Sequence, residues 1–119
     1  MRVIYLAGPF RASNSWEIEG NVRRAETLAL EVWRSGAACI CPHTNTRFYQ
    51  GAADDDVWLL GDLEILKRCD AVLMMPDWAC STGASHERRM AITYEIPVFE
   101  TIETLRSWLL VKDPGCYHE

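Results

Sequence analysis

The chain has 119 residues, 49% hydrophobic and 24% charged, enough apolar material for one globular domain to bury a core without staples. A net charge of −5 argues against a nucleic-acid polymer as partner, and no run reaches the roughly 20 apolar residues that cross a bilayer, so no membrane partner is expected. Five cysteines with no signal-peptide pattern ahead of them suit a reduced, cytoplasmic protein.

Val3-Ile4-Tyr5-Leu6-Ala7 is a continuous apolar run closed by Gly8-Pro9, the pattern of a central strand buried on both faces. Asn14-Ser15-Trp16-Glu17 has capping-box spacing, and Ile18, Val22, Ala25, Ala29, Val32 and Trp33 then trace one face of a long helix ending at Gly36. Ala38-Cys39-Ile40-Cys41 predicts a second strand stopped by Pro42, and residues 43–56 a long polar loop of the kind that is usually functional or mobile. His43, Asn45 and Arg47 on that loop read as surface polarity rather than as a binding set. Cys39-x-Cys41-x-His43 has no second ligand pair at a recognisable spacing, so the cysteines read as buried small hydrophobes and no metal is expected.

Asp54, Asp55 and Asp56 favour the start of the next helix, because three adjacent carboxylates cannot converge on one ion. That helix carries the stripe Leu59, Leu63 and Leu66, with Glu64 on the outer side beside Lys67 and Arg68 for ion pairing. Ala71-Val72-Leu73-Met74-Met75 is a third strand broken by Pro76. A loop follows, and then a helix on which Ala84, Glu87, Met90, Ala91 and Tyr94 share a face. Pro97-Val98-Phe99 is a short fourth strand, and Thr101 caps a last helix through Ile102, Leu105, Trp108 and Leu109. The order β-α-β-α-β-α-β-α predicts an α/β fold: a single-domain open parallel sheet of four to five strands, helices on both faces, flavodoxin- or Rossmann-like. The domain spans residues 1–112, with 113–119 as a C-terminal tail.

Two carboxylates break this pattern. Glu87 lies at the centre of an apolar helix face, and Asp62 stands within the Leu59, Leu63 and Leu66 stripe. An inward carboxylate costs several kcal/mol to desolvate unless it is paired or lines a cavity where its charge is used. Either acid alone is accounted for by a cap or an arginine pair, whereas both together favour a shared polar site. In an open parallel sheet such a site lies beyond the carboxyl ends of the strands. There the loop after strand one supplies Gly8, Pro9, Phe10 and Arg11, and the loop after strand three supplies Ser81, Thr82 and Gly83. Ser81 reads equally as a helix N-cap and as part of a phosphate cradle, and the two roles are compatible. Trp78 is close enough in sequence to stack on a base, while Trp16, Trp58 and Trp108 are hard to place in one small core and suggest a homo-oligomer interface.

Ile4-Tyr5-Leu6-Ala7-Gly8-Pro9-Phe10, then Asp62-Leu63 followed by Cys69-Asp70-Ala71-Val72, then Ser81-x-Gly83-x-x-x-Glu87 with Ala91 after it, resemble the nucleoside 2-deoxyribosyltransferase superfamily, including its nucleoside 5′-monophosphate N-glycosidase branch. The likeness covers most of the chain in the same order. It implies Glu87 as the nucleophile at the anomeric carbon and Asp62 as the acid that handles the proton of the departing base, the logic of a retaining glycosidase. It implies Tyr5, Gly8, Phe10 and Arg11 around the sugar, base or phosphate, and Ser81 and Gly83 at the phosphate, with no cofactor and a homodimer or larger homo-oligomer. Many transferases of the superfamily carry an aspartate where this chain has Ser81. A hydroxyl can donate to a phosphate that a carboxylate would repel, so the expected substrate is a nucleoside 5′-monophosphate, hydrolysed at the base–sugar bond. Base exchange between nucleosides and a non-catalytic nucleotide-binding module are the other readings.

Overall fold

The computed structural model describes residues 1–46, 48, 49 and 51–112. Arg47 and the tail 113–119, with Cys116, lie outside the described residues. Four strands, β1 (Val3–Ala7), β2 (Ala38–Ile40), β3 (Ala71–Met74) and β4 (Val98–Phe99), form one all-parallel sheet in the order β2-β1-β3-β4. The helices are α1 (Ser15–Arg34), the short α2 (Pro42–Asn45), α3 (Asp55–Lys67), α4 (Thr82–Thr93) and α5 (Ile102–Lys112), with a 3₁₀ turn at Trp78–Cys80 before α4. The sheet is the expected α/β doubly wound type, with four strands. No helix among the described residues is long and apolar enough to cross a membrane.

Strand alternation divides the core. Ile4 and Leu6 of β1 and Ala71 and Leu73 of β3 pack with Ala25 and Val32 of α1 and Leu105 and Leu109 of α5. Tyr5 and Ala7, with Val72 and Met74, turn to the opposite face and meet Leu66 of α3 and Ala84 and Ala91 of α4. Thus α1 and α5 cover one side of the sheet and α3 and α4 the other. Asp70, immediately before β3, accepts a 2.7 Å hydrogen bond from the Val3 amide and so holds the start of β1 beside it.

The local signals are used largely as expected. Asn14 caps α1, accepting from the Glu17 amide at 2.9 Å, and Gly36 takes a φ of +90° just past the helix end. Thr101 accepts from the Thr104 amide at 3.1 Å ahead of α5. Glu64 pairs with Arg68 at 2.9 Å and Lys67 at 3.9 Å on the outer side of α3.

Several expectations need correction. The predicted loop at 43–56 begins with α2, because Pro42 occupies the first turn with its φ preset for a helix and the Cys41 carbonyl accepts from the Thr44 amide at 3.0 Å. His43 on α2 is buried rather than surface-exposed. On α3 only Leu66 is fully buried; Leu59 is 48% exposed, and with Leu63 it lines a cavity instead of packing on the sheet. The cysteine reading holds for Cys39, Cys41 and Cys69, which are buried, whereas Cys80 is exposed. Trp108 packs on Phe99, with ring centroids 5.3 Å apart, beside the α1/α5 core, while Trp16 is open to solvent.

Gly8 follows β1 and lies against Met75, the residue after β3. A Cβ built there would lie 2.1 Å from Met75 Sδ and 2.7 Å from Met75 Cβ, and Met75 is itself buried. Gly8→Ala is therefore expected to destabilise the protein by about 1–3 kcal/mol in thermal or urea denaturation. Combined with Met75→Ala the two losses should be clearly less than additive, and full additivity would exclude this contact as the cause.

Candidate active site

The sheet order reverses between β1 and β3: the chain leaves β1 for β2 on one side, then returns to add β3 and β4 on the other. Loops after these two strands diverge at that point and leave a crevice at the carboxyl end of the sheet. A cavity of about 940 Å³ occupies it, within the range of small-molecule sites. Its walls include Gly8, Phe10 and Arg11 from the β1 loop, His43 from α2, Asp62 from α3, the N-cap Ser81, and Gly83 and Glu87 from α4.

Seven of the eight residues expected at a site thus share one cavity. Tyr5, the eighth, is fully buried in β1 and reaches the site through its hydroxyl, which donates to Glu87 Oε2. The geometry follows from register. Tyr5 alternates onto the α3/α4 face, and Glu87 sits on α4 one turn after the buried Ala84 and one turn before the buried Ala91. Ser81 is the N-cap of α4, its Oγ accepting from the Ala84 amide at 3.1 Å, and it also faces the cavity.

Burial raises the Glu87 carboxyl to about 7; the Tyr5 hydrogen bond opposes the shift and the nearby Asp62 charge adds to it. Desolvation alone raises Asp62 to about 6. Tyr5 is pushed up by burial and then by Glu87, so it remains a protonated donor. Around neutrality the two acids together hold about one proton, which rests more on Glu87 than on Asp62, so attack by Glu87 with donation from Asp62 uses the form in which that proton has passed to Asp62.

Arg11 reaches across the cavity mouth to Asp55 at the start of α3, at 2.7 Å. Trp58 also lines the cavity and packs against Tyr49, centroids 5.5 Å apart. Trp78 does not stand in the wall: its indole donates to Glu100 at 3.3 Å and its ring lies 4.8 Å beneath the Arg88 guanidinium. Two residues that pattern reading missed, Asn21 and His43, hold the β1 loop. The Asn21 amide donates to the Phe10 carbonyl at 3.0 Å and His43 Nε2 donates to the Pro9 carbonyl at 2.6 Å. Asn21 lay inside a helix next to the predicted apolar face, so its neighbour Val22 was the one available signal. Among the described residues no group of three His, Cys, Asp or Glu side chains is arranged to hold a metal.

A raised carboxyl is a cost to the fold. Folded Glu87 binds its proton more tightly than an unfolded glutamate near 4.5, so the stability this proton confers is complete below that value and is lost as pH rises through about 7. Glu87→Gln should abolish that loss and gain on the order of 2 kcal/mol over wild type between about pH 5 and about pH 8. Urea denaturation at the two pH values measures it, and parallel pH dependences in both proteins would contradict the assignment.

No curated protein matches the chain. Among solved structures, a 2-deoxyribosyltransferase from the psychrotolerant bacterium Bacillus psychrosaccharolyticus is similar with a TM-score of 0.60 and 24% identity, over 81% of this chain and 69% of that one. A conserved protein from Enterococcus faecalis is similar with a TM-score of 0.67 and 22% identity, over 82% of this chain and 61% of that one. The chain therefore has the nucleoside 2-deoxyribosyltransferase-like fold. Residues 2–101 match the family described as a domain of unknown function, DUF7768, and the chain belongs to that family.

Proposed function

We propose that the protein is an N-glycosidase that hydrolyses the base–sugar bond of a ribo- or deoxyribonucleoside 5′-monophosphate. The observation that carries this reading is Glu87: a desolvated carboxylate on the cavity wall, oriented by the Tyr5 hydroxyl and within electrostatic range of a second raised acid, Asp62. In the first step the Glu87 carboxylate attacks the anomeric carbon. The C–N bond breaks with its electron pair passing to the base, and Asp62 gives that nitrogen its proton. Water then attacks the same carbon and passes a proton to the Asp62 carboxylate, and the sugar phosphate leaves as Glu87 is restored. Tyr5 keeps one oxygen of Glu87 engaged and so aims the other.

Phosphate preference is supported by two features of the cavity rim. Ser81 stands at the N-terminus of α4, where amides and helix dipole favour an anion, and Arg11, held by Asp55 at 2.7 Å across the mouth, is a cation for which a phosphate would compete with that carboxylate. A second reading, base exchange, is favoured by the 2-deoxyribosyltransferase of the same fold. Both share the glycosyl–Glu87 intermediate and differ in whether water or a second base receives the sugar. A homo-oligomeric partner belongs to the same reading: Leu59 and Leu60, exposed at the cavity mouth, are apolar side chains a second copy would cover. Light scattering tests this directly, with a mass above one chain expected and a monomer at all concentrations counting against it.

Purified protein incubated with nucleoside 5′-monophosphates and the corresponding nucleosides should release free base from the monophosphates. The rate should be bell-shaped in pH and highest between about 6 and about 7, because one acid must be ionised and the other protonated. Glu87→Ala should abolish release, and Asp62→Asn should lower it by about 10²–10⁴-fold. Base incorporation into a new nucleoside faster than hydrolysis would replace this reading with the transferase. Nucleotide binding without either reaction would leave a binding module.

A further inference from the structure

Among the described residues, the polar side chains that the fold buries outright, tyrosine and cysteine aside, are Asn21 and His43, at 7% and 5% exposure. They come from different elements, α1 and α2, yet they bond successive carbonyls of one loop. His43 Nε2 meets the Pro9 oxygen at 2.6 Å, and Asn21 Nδ2 meets the Phe10 oxygen at 3.0 Å. A carbonyl only accepts, so Nε2 carries the imidazole proton and Nδ1 is the bare nitrogen. Among the described residues the buried Nδ1 has no partner, and burial lowers the basicity of the ring, which favours the neutral imidazole. The His43 ring also meets Phe10 edge-on, centroids 5.5 Å apart.

The Asn21 contact continues outward. Its Oδ1 accepts from Arg24 Nη2 at 2.6 Å, and the same nitrogen reaches Asp77 Oδ2 at 3.0 Å. Asp77 lies just beyond β3, so a single chain of polar contacts ties the loop after β1 to the loop after β3, the two loops that part at the crevice. Buried polar groups are stable only when their geometry is met, which makes such contacts selective for one loop conformation.

We propose that Asn21 and His43 are positioning residues that lock the β1 loop, residues 8–13, in the conformation that presents Phe10 and Arg11 to the cavity. Asn21 stands outside the cavity wall, whereas His43 also lines the cavity, and the role assigned to both is their bond to the loop carbonyls rather than a contact with substrate. Fixing the two carbonyls fixes both peptide planes, because the N–H of a trans peptide points opposite to its C=O, and all peptide bonds described here are trans. The Phe10 and Arg11 amides and side chains are thereby set before a ligand arrives, which saves the ordering cost at binding. The kinetic consequence of this brace rests on the nucleotide reading above; the brace itself does not.

The test compares wild type with Asn21→Ala, His43→Ala and His43→Gln, the last retaining an amide donor. Hydrogen–deuterium exchange of peptides covering residues 8–13 reads the brace without any reaction. Both alanine variants should exchange faster there with α4 unchanged, and His43→Gln should restore protection. In base release from nucleoside monophosphates, the alanine variants should raise KM by about tenfold with kcat within about twofold, as expected for one lost hydrogen bond that preorganises binding. Unchanged exchange at residues 8–13, or an equal rise across the whole chain, would overturn the proposal. If wild type releases no base, the functional reading fails and exchange alone decides on the brace.

Discussion

A carboxylate held partly out of water between β1 and α4 is the constraint on which the site depends. Glu87 occupies a position that helical periodicity assigns to the core, flanked one turn either way by alanines that are fully buried. Their small size lets α4 lie close to the sheet, which brings the Glu87 carboxylate against the hydroxyl of Tyr5. That hydroxyl supplies part of the solvation the carboxylate has lost, and not all of it, since the group still titrates near 7. What a carboxylate provides is a charge in a poorly solvated pocket, where an electrostatic interaction is worth more than it is in water.

The surrounding architecture keeps that charge accessible. Strand order reverses between β1 and β3, so the loops that follow them separate and the cavity opens where Glu87, Asp62 and the N-terminus of α4 converge. On the α3 side the first turns carry Leu59 and Leu63 over the cavity rather than onto the sheet, and this places Asp62 between them with less water than an exposed aspartate has. On the β1 side the chain passes so close to Met75 that only glycine fits at position 8. The next two carbonyls are then taken up by buried side chains from α1 and α2. Loop and helix are therefore specified by different forces: steric exclusion and hydrogen bonding on one wall, and the balance of burial against charge on the other.

Much of this was legible beforehand because it depends on short-range pattern. Apolar runs of strand length alternating with amphipathic helices suffice for an open parallel sheet, and a carboxylate on an apolar helix face is visible at i, i+3 and i+4 spacing. Other features were not legible for identifiable reasons. The polar neighbours Thr44 and Asn45 make His43 look solvated, but the short helix begun by Pro42 turns it under the β1 loop. Periodicity assigns Leu59 to the core because it reports a face and not what that face meets, which here is the cavity. Chain position puts Trp78 near the site, whereas its indole bonds Glu100 and lies under Arg88, off the cavity wall.

By itself the sequence determined the element order, the parallel sheet, the helix caps at Asn14, Ser81 and Thr101, and the two inward acids, all of which follow from residue spacing along single elements. The tertiary structure alone decided that Tyr5 engages Glu87, that Asn21 and His43 converge on one loop from separate helices, and that Arg11 meets Asp55. Each of these joins residues on different elements. Their meeting depends on strand order, on strand parity and on how far each helix stands from the sheet, quantities that arise only when the whole chain packs at once.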